Sequence, residues 1–176
     1  MPESQQSEKG TNIVLDKILS NPNISVIDFG AGEGKWGKLL NDKVSRIDGV
    51  EVWKPYVDKY KLHSYYNNLY EMDMRDFILD LPTEYNVAIL GDVFEHVTRE
   101  HAITFLDNLK KNVNRIFLTI PVTVCIQDGN AIGNPYETHH YQWSDKEIRY
   151  DLGFELLNVS VNDNGLVAVG CYEWIK

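Results

Sequence analysis

Asp92, Glu95 and His96 stand at i, i+3 and i+4 in Gly91-Asp92-Val93-Phe94-Glu95-His96-Val97, a spacing that places all three on one face of a helical turn. Two further histidines, His139 and His140, follow in Gly133-Asn134-Pro135-Tyr136-Glu137-Thr138-His139-His140-Tyr141-Gln142-Trp143. Carboxylates and imidazoles in such a set can hold a divalent cation, Mg²⁺ or Mn²⁺. A histidine among them can also take the proton of a hydroxyl. The same pattern has a plainer use, because Asp92-x-x-Glu95 is also a helix capping box. The candidate metal set is therefore Asp92, Glu95, His96 and His139, with His96, His139 or His140 as the candidate catalytic base.

A second constellation lies nearer the N-terminus. In Val26-Ile27-Asp28-Phe29-Gly30-Ala31-Gly32-Glu33-Gly34-Lys35-Trp36-Gly37, an apolar run ends in an acid, a glycine-rich turn and a helical pattern. Glycines let the backbone bend tightly and approach a ligand closely. Glu51 closes a second apolar run, 17 residues past Gly34. A carboxylate there can accept both hydrogen bonds of a ribose diol. Gly32 to Gly37 also satisfies the G-x-G-x-x-G pattern of dinucleotide sites. Against that reading, Asp28 and Glu33 would crowd a pyrophosphate with like charge, and the turn glycine directly after the strand is Gly30. An acid-lined turn suits a cationic ligand.

Periodicity supplies the elements that must position these residues. Thr11 to Leu19 carries Val14, Leu15, Ile18 and Leu19 on one helical face, ahead of strand 24–29 and a helix to about Leu40. Arg46 to Val52 reads as a second strand and Trp53 to Tyr60 as a helix. Tyr65 to Met72 reads as a third strand, and Asp76 to Leu81 as a brief helical piece. Tyr85 to Leu90 is apolar enough to be buried on both faces. A helix capped by Thr98 and a fifth strand, Arg115 to Ile120, come next. Residues 121–143 show no sustained period, and a loop that long inside a domain is usually functional. Ser144 to Tyr150 reads as a short helix. Phe154 to Val161 and Leu166 to Trp174 alternate as strands around Asn162-Asp163-Asn164-Gly165, a hairpin signal. The expectation is an α/β, Rossmann-like, doubly wound and mostly parallel seven-stranded sheet with an antiparallel C-terminal strand. Residues 1–10 read as a frayed tail, and residues 11–176 as a single domain with 121–143 as its active-site loop.

These segments together resemble the class I S-adenosylmethionine-dependent methyltransferases. The family's first motif, acid-x-Gly-x-Gly-x-Gly, is similar to Asp28-Phe29-Gly30-Ala31-Gly32-Glu33-Gly34. Its ribose-binding acid matches Glu51, with Val52 beside the adenine, and its adenine-binding acid matches Asp73, with the Met74 backbone beside the ring. Gly91 and Asp92 fall in its motif after strand four, which often ends Glu-His. The resemblance implies S-adenosylmethionine as cofactor, held by Asp28, Gly30, Ala31, Gly32, Gly34, Trp36, Glu51, Val52, Asp73, Met74, Gly91 and Asp92. Trp36 and Trp53 have packing as their commoner use. Asn86 departs from the family, where an acid commonly precedes strand four.

The Asp92–His96 turn paired with His139-x-x-x-Trp143 also resembles metal-dependent ribose 2′-O-methyltransferases of small-RNA 3′ ends, although Asp92 replaces the first glutamate. A similar pairing occurs in ubiquinone-pathway O-methyltransferases. The Asn134-Pro135-Tyr136-Glu137 stretch is similar to small bacterial and phage enzymes found among surface-polysaccharide genes. These resemblances imply transfer to a small-molecule or sugar hydroxyl. The alternatives are an RNA-end 2′-O-methyltransferase and a non-catalytic cofactor-binding module.

Composition narrows the partners. A net charge of −9 opposes a broad nucleic-acid surface. Cys125 and Cys171 lack metal-type spacing, and the N-terminus lacks a signal-peptide core, so a cytoplasmic setting is expected. Apolar runs fall short of the ~18 residues that a membrane span needs. Oligomeric state is not legible.

Overall fold

The computed structural model describes residues 8–77, 85–161 and 165–176. Seven strands form one sheet in the order β3-β2-β1-β4-β5-β7-β6. They are β1 (Ser25–Phe29), β2 (Arg46–Val50), β3 (Leu69–Tyr70), β4 (Val87–Gly91), β5 (Arg115–Pro121), β6 (Glu155–Val161) and β7 (Ala168–Ile175). Strands β1 to β5 pair in parallel, and β7 runs antiparallel to both β5 and β6. This is the expected doubly wound sheet. Its order reverses between β1 and β4, where a ligand crevice opens at the carboxyl ends of the strands.

Alternate residues of the central strands feed two cores. Ile27, Phe29, Ala88, Leu90, Ile116 and Leu118 face helix α4 (Arg99–Asn112), whose stripe is Ala102, Phe105, Leu106 and Leu109. Val26, Ile47, Val87, Ile89 and Phe117 face α1 (Glu8–Leu19), α2 (Lys35–Leu40) and α3 (Lys54–Tyr60). Burial on both faces explains why these strands read as unbroken apolar runs. Thr98 caps α4 by accepting from the His101 N–H, as its position in the sequence implied.

Several local expectations are corrected. Helix α1 begins at Glu8 rather than Thr11, so residues 8–10 of the expected tail are helical, and residues 1–7 lie outside the described residues. The third strand shrinks to Leu69–Tyr70, because the side chain of Asn67 bonds to the β2 backbone and Tyr66 turns into the core. Most of the Asp76–Leu81 piece and the residues before Gly165 in the hairpin turn also lie outside the described residues. The segment 121–143 holds a short helix, α5 (Gly129–Ile132), and a 3₁₀ turn at Pro135–Glu137. The predicted helix after Ser144 becomes a π-helical turn, Glu147–Asp151, entered through reciprocal hydrogen bonds between Ser144 and Glu147.

Buried charges in the frame are paired. Asp48 accepts from Arg46 Nη2 at 2.6 Å and from the Tyr85 hydroxyl at 2.5 Å. Glu173 of β7 meets Lys17 Nζ at 2.7 Å and Arg115 Nε at 3.2 Å, tying α1 to the sheet. Asn86 accepts from the Ser25 N–H at 2.9 Å, which aligns the starts of β1 and β4. That is its work where the family commonly has an acid.

Candidate active site

A cavity of about 820 Å³ opens over the carboxyl ends of β1, β2 and β4. Gly30 and Ala31 donate to the Val50 carbonyl at 2.9 and 3.0 Å, so the glycine turn folds back onto β2. Gly30, Gly32 and Gly34 all have positive φ, at 69°, 53° and 76°. A Cβ on Gly30 would stand 2.8 Å from Val93 Cγ2. Gly30→Ala is therefore expected to cost about 2–4 kcal/mol, combining left-handed strain with overpacking. Thermal denaturation checks this, and an unchanged midpoint would contradict it.

Glu51 is almost fully buried at the end of β2. Its carboxylate accepts from the Gly32 N–H at 2.8 Å and from the Trp53 N–H at 2.7 Å. Burial raises its carboxyl above the ordinary value, and those backbone donors work against the rise. Two donors leave lone pairs on a carboxylate for further bonds, such as those of a diol. Asp28 is buried at the end of β1, and burial pushes its carboxyl up to about 7. The Tyr66 hydroxyl donates to Asp28 Oδ2 at 2.6 Å and accepts from the Gly37 N–H at 3.3 Å. Tyr66→Phe should destabilise the fold by about 1–3 kcal/mol, because it leaves a buried carboxylate short of its donor. Denaturant unfolding reads this, and equal stability of the two proteins would refute the role.

Beside this cavity lies a recess of about 70 Å³, lined by Val50, Val52, Met72, Asp73, Met74 and Val93 among others. Its mostly apolar walls suit an apolar ring face. Half-burial works to raise the Asp73 carboxyl, but hydrogen bonds from Arg75 outweigh it and hold the carboxyl below its usual range. Gly30, Glu51, Val52, His96 and Tyr136 line both spaces.

Another wall of the cavity carries His96 and His139. Ligand atoms of Glu95, His96 and His139 all lie within 4.8 Å of one another. Glu95 is buried, and its Oε2 has no hydrogen-bond partner among the described residues. Burial, then the charge of Asp92, drives its carboxyl well above the ordinary value. His139 Nδ1 lies 2.6 Å from the Cys125 carbonyl and His96 Nδ1 lies 3.4 Å from the Thr138 carbonyl. A carbonyl can only accept, so His139 carries its proton on Nδ1 and keeps an Nε2 lone pair, and the longer His96 contact is compatible with the same tautomer. Burial, followed by the neighbouring His139, pushes His96 down to about 4, so the ring is neutral near pH 7. Glu137 Oε2 stands 3.6 Å from His96 Nε2. Imidazole nitrogens beside a buried carboxyl oxygen that has no hydrogen-bond partner among the described residues fit a divalent cation.

The cavity is strongly acidic within. Asp28, Glu51, Asp92, Glu95 and Glu137 line it together with Lys35, whose ammonium is weakened by burial although Asp92 and Asp28 support it. Burial raises the carboxyls of Asp28, Glu51, Glu95 and Glu137 alike. Carboxylates in that condition gain from a bound cation and would be worsened by a diphosphate.

Most of the candidate residues from the sequence meet here, with four corrections. Asp92 lines the cavity but does not share a helical face with Glu95 and His96. It has φ 52°, and only a 3₁₀ turn, Phe94–His96, follows it, so it stands outside the three-residue cluster. His140 is exposed and lines neither space; its backbone N–H is used on the Glu95 carbonyl at 2.7 Å. Gly34 caps α2 against Leu62 and lines neither space. Trp36 is buried in the core and lines the large cavity but not the smaller recess, so packing is its main work. Trp143 likewise packs in the core beside Phe94. Tyr66, Lys35, Tyr56 and Glu137 are additions that sequence reasoning missed. Tyr66 approaches Asp28 only through the fold, and no local signal marks it.

Comparisons with known proteins agree with this architecture. A methyltransferase-domain family profile matches residues 9–151. No curated protein is significantly similar to the chain in sequence. Among solved structures, Burkholderia thailandensis 1,6-didemethyltoxoflavin-N1-methyltransferase, with 1,6-didemethyltoxoflavin and S-adenosylhomocysteine bound, superposes with a TM-score of 0.65 at 15% identity, covering 96% of this chain and 78% of that one. Synechocystis PCC 6803 magnesium protoporphyrin IX methyltransferase with bound S-adenosylhomocysteine gives 0.66 at 19% identity, covering 96% and 84%. The methyltransferase domain of bacterial CtHen1 gives 0.61 at 19% identity, covering 98% and 100%. The chain belongs to the methyltransferase-domain family and is built on the class I S-adenosylmethionine-dependent fold.

Proposed function

We propose that the protein methylates a hydroxyl of a small molecule or sugar, with S-adenosylmethionine as donor and a divalent cation at Glu95, His96 and His139. The observation that carries this reading is the cluster of those three residues, on the wall of the cavity that also holds the glycine turn and Glu51. Asp28 and Glu51 would grip the donor's cationic amino-acid end and its ribose, and the recess at Val52, Asp73 and Met74 would take the adenine. The cation would orient the hydroxyl and lower its pKa. With both imidazole Nε2 atoms on the cation, the acidified hydroxyl would give its proton to the neighbouring Glu137 carboxylate or to water. Holding donor and acceptor in line supplies much of the remaining rate.

An RNA-end acceptor is the second reading, on the pairing of the Glu95-His96 turn with the His139 loop, but the −9 charge weighs against it. Titration calorimetry tests the donor, with micromolar S-adenosylhomocysteine binding and none of NAD expected. Turnover on sugar, catechol and RNA-end panels, with Mn²⁺ or EDTA, tests the acceptor and the cation. Binding of NAD alone would overturn the proposal. Turnover confined to RNA ends would replace the small-molecule acceptor.

A further inference from the structure

The segment from Gln127 to His139 is folded onto itself. Gln127 Nε2 donates to the Glu137 carbonyl at 2.8 Å, the His139 N–H to the Gln127 carbonyl at 3.0 Å, and the Gly129 N–H to Thr138 Oγ1 at 3.0 Å. A Cβ on Gly129 would lie 2.2 Å from the Asn134 carbonyl oxygen, so the two limbs touch. This compact loop spans the cavity between two walls. On one side the Tyr136 ring sits 5.8 Å from that of Trp53, next to Glu51. On the other side His139 faces His96, with ring centroids 5.0 Å apart. Tyr136 lines both the main cavity and the smaller recess, whereas Glu95 and His96 belong to the turn after β4.

We infer that the loop links the two ligand sites, so that a cation bridging His139 to Glu95 and His96 holds Tyr136 over the cofactor and tightens its binding. This inference rests on the cation site proposed above. One rigid loop contributes to both sites, so fixing it once lowers the ordering cost of the second ligand. Linkage is reciprocal, and the cofactor must tighten the cation by the same factor. Electrostatics alone acts in the opposite sense. A cation among Asp92, Glu95 and Glu137 weakens the attraction for the sulfonium of S-adenosylmethionine and leaves uncharged sulfur nearly unaffected.

The test is calorimetry on the full chain with S-adenosylhomocysteine as probe, titrated with and without saturating Mn²⁺, and Mn²⁺ titrated with and without the probe. The expected result is a gain of roughly five- to a hundredfold in each direction. In Tyr136→Ala that factor should collapse toward one while Mn²⁺ still binds the protein without probe. Mn²⁺ binding to wild type with no change in probe affinity overturns the linkage and leaves the cation site standing. A full factor retained in Tyr136→Ala overturns the loop as its carrier. Absence of Mn²⁺ binding to the wild type overturns the cation site and the linkage with it.

Discussion

Replacing His96 and His139 together by alanine is expected to lower turnover by about 10²–10⁴-fold, the usual scale for losing a positioned base or a catalytic cation. EDTA should bring the wild type to the same level, and Mn²⁺ should restore the wild type but not the variant. Affinity for S-adenosylhomocysteine without added cations should change only a few-fold, because neither imidazole holds the glycine turn or Glu51. That split between rate and binding separates a chemical role from a packing one. The variant also removes the His139 bond to the Cys125 carbonyl, so its melting temperature must be measured alongside. Turnover that survives both the double substitution and EDTA would remove the cation and the histidines from the chemistry.

Asp28→Asn is expected to make the protein more stable and a poorer cofactor binder. The carboxyl titrates at about 7 in the folded chain against an ordinary value of 3.8, because burial penalises its charge. Between those values the folded state binds more protons than the unfolded one. Stability therefore falls as pH rises from about 4 to 7 and is level above. Three pKa units correspond to about 4 kcal/mol, and a buried amide still carries a desolvation cost, so a gain of about 2 kcal/mol at pH 8 is expected. The gain should shrink toward pH 4. Binding moves the other way. The cationic donor favours the charged carboxylate, so wild-type affinity for S-adenosylmethionine should weaken as pH falls below 7. Asp28→Asn should bind it about 10–100-fold more weakly at pH 8, with a flatter pH profile. A variant both less stable and equally tight at pH 8 would contradict the assignment of Asp28. Such a trade between stability and function is common where a site holds a group in an unfavourable state.

The parts of the fold legible in the sequence were those whose signals are local. Strands β1, β4 and β5 are buried on both faces, so Val26-Ile27, Val87 to Leu90 and Ile116 to Ile120 announce themselves as apolar runs. The glycine turn and Glu51 read equally well, because positive φ and a strand-end acid leave marks in a few residues. What escaped was set by distant contacts. Tyr66 reaches Asp28 across 38 residues of sequence, and β3 is held to two residues by side chains rather than by its own propensity. The i, i+3, i+4 spacing at Asp92 presumed a helix, but the chain leaves β4 through a left-handed residue into a 3₁₀ turn, so Asp92 stays close enough for its charge to act on Glu95 yet is not one of the three clustered ligands. Trp143 read equally as lid packing or as a substrate contact, and only the fold, which buries it beside Phe94 with its Nε1–H on the Phe94 carbonyl, decides for packing.

The central claim is that Glu51 grips the ribose of a sulfur-centred donor lying over the turn that follows β1. A crystal structure of the protein soaked with S-adenosylhomocysteine tests it most directly. The account predicts both ribose hydroxyls within hydrogen-bond distance of the Glu51 carboxylate, with the adenine between Val52 and Met74. A ligand seated with its ribose away from Glu51, or a nucleotide diphosphate occupying the turn in its place, would contradict it.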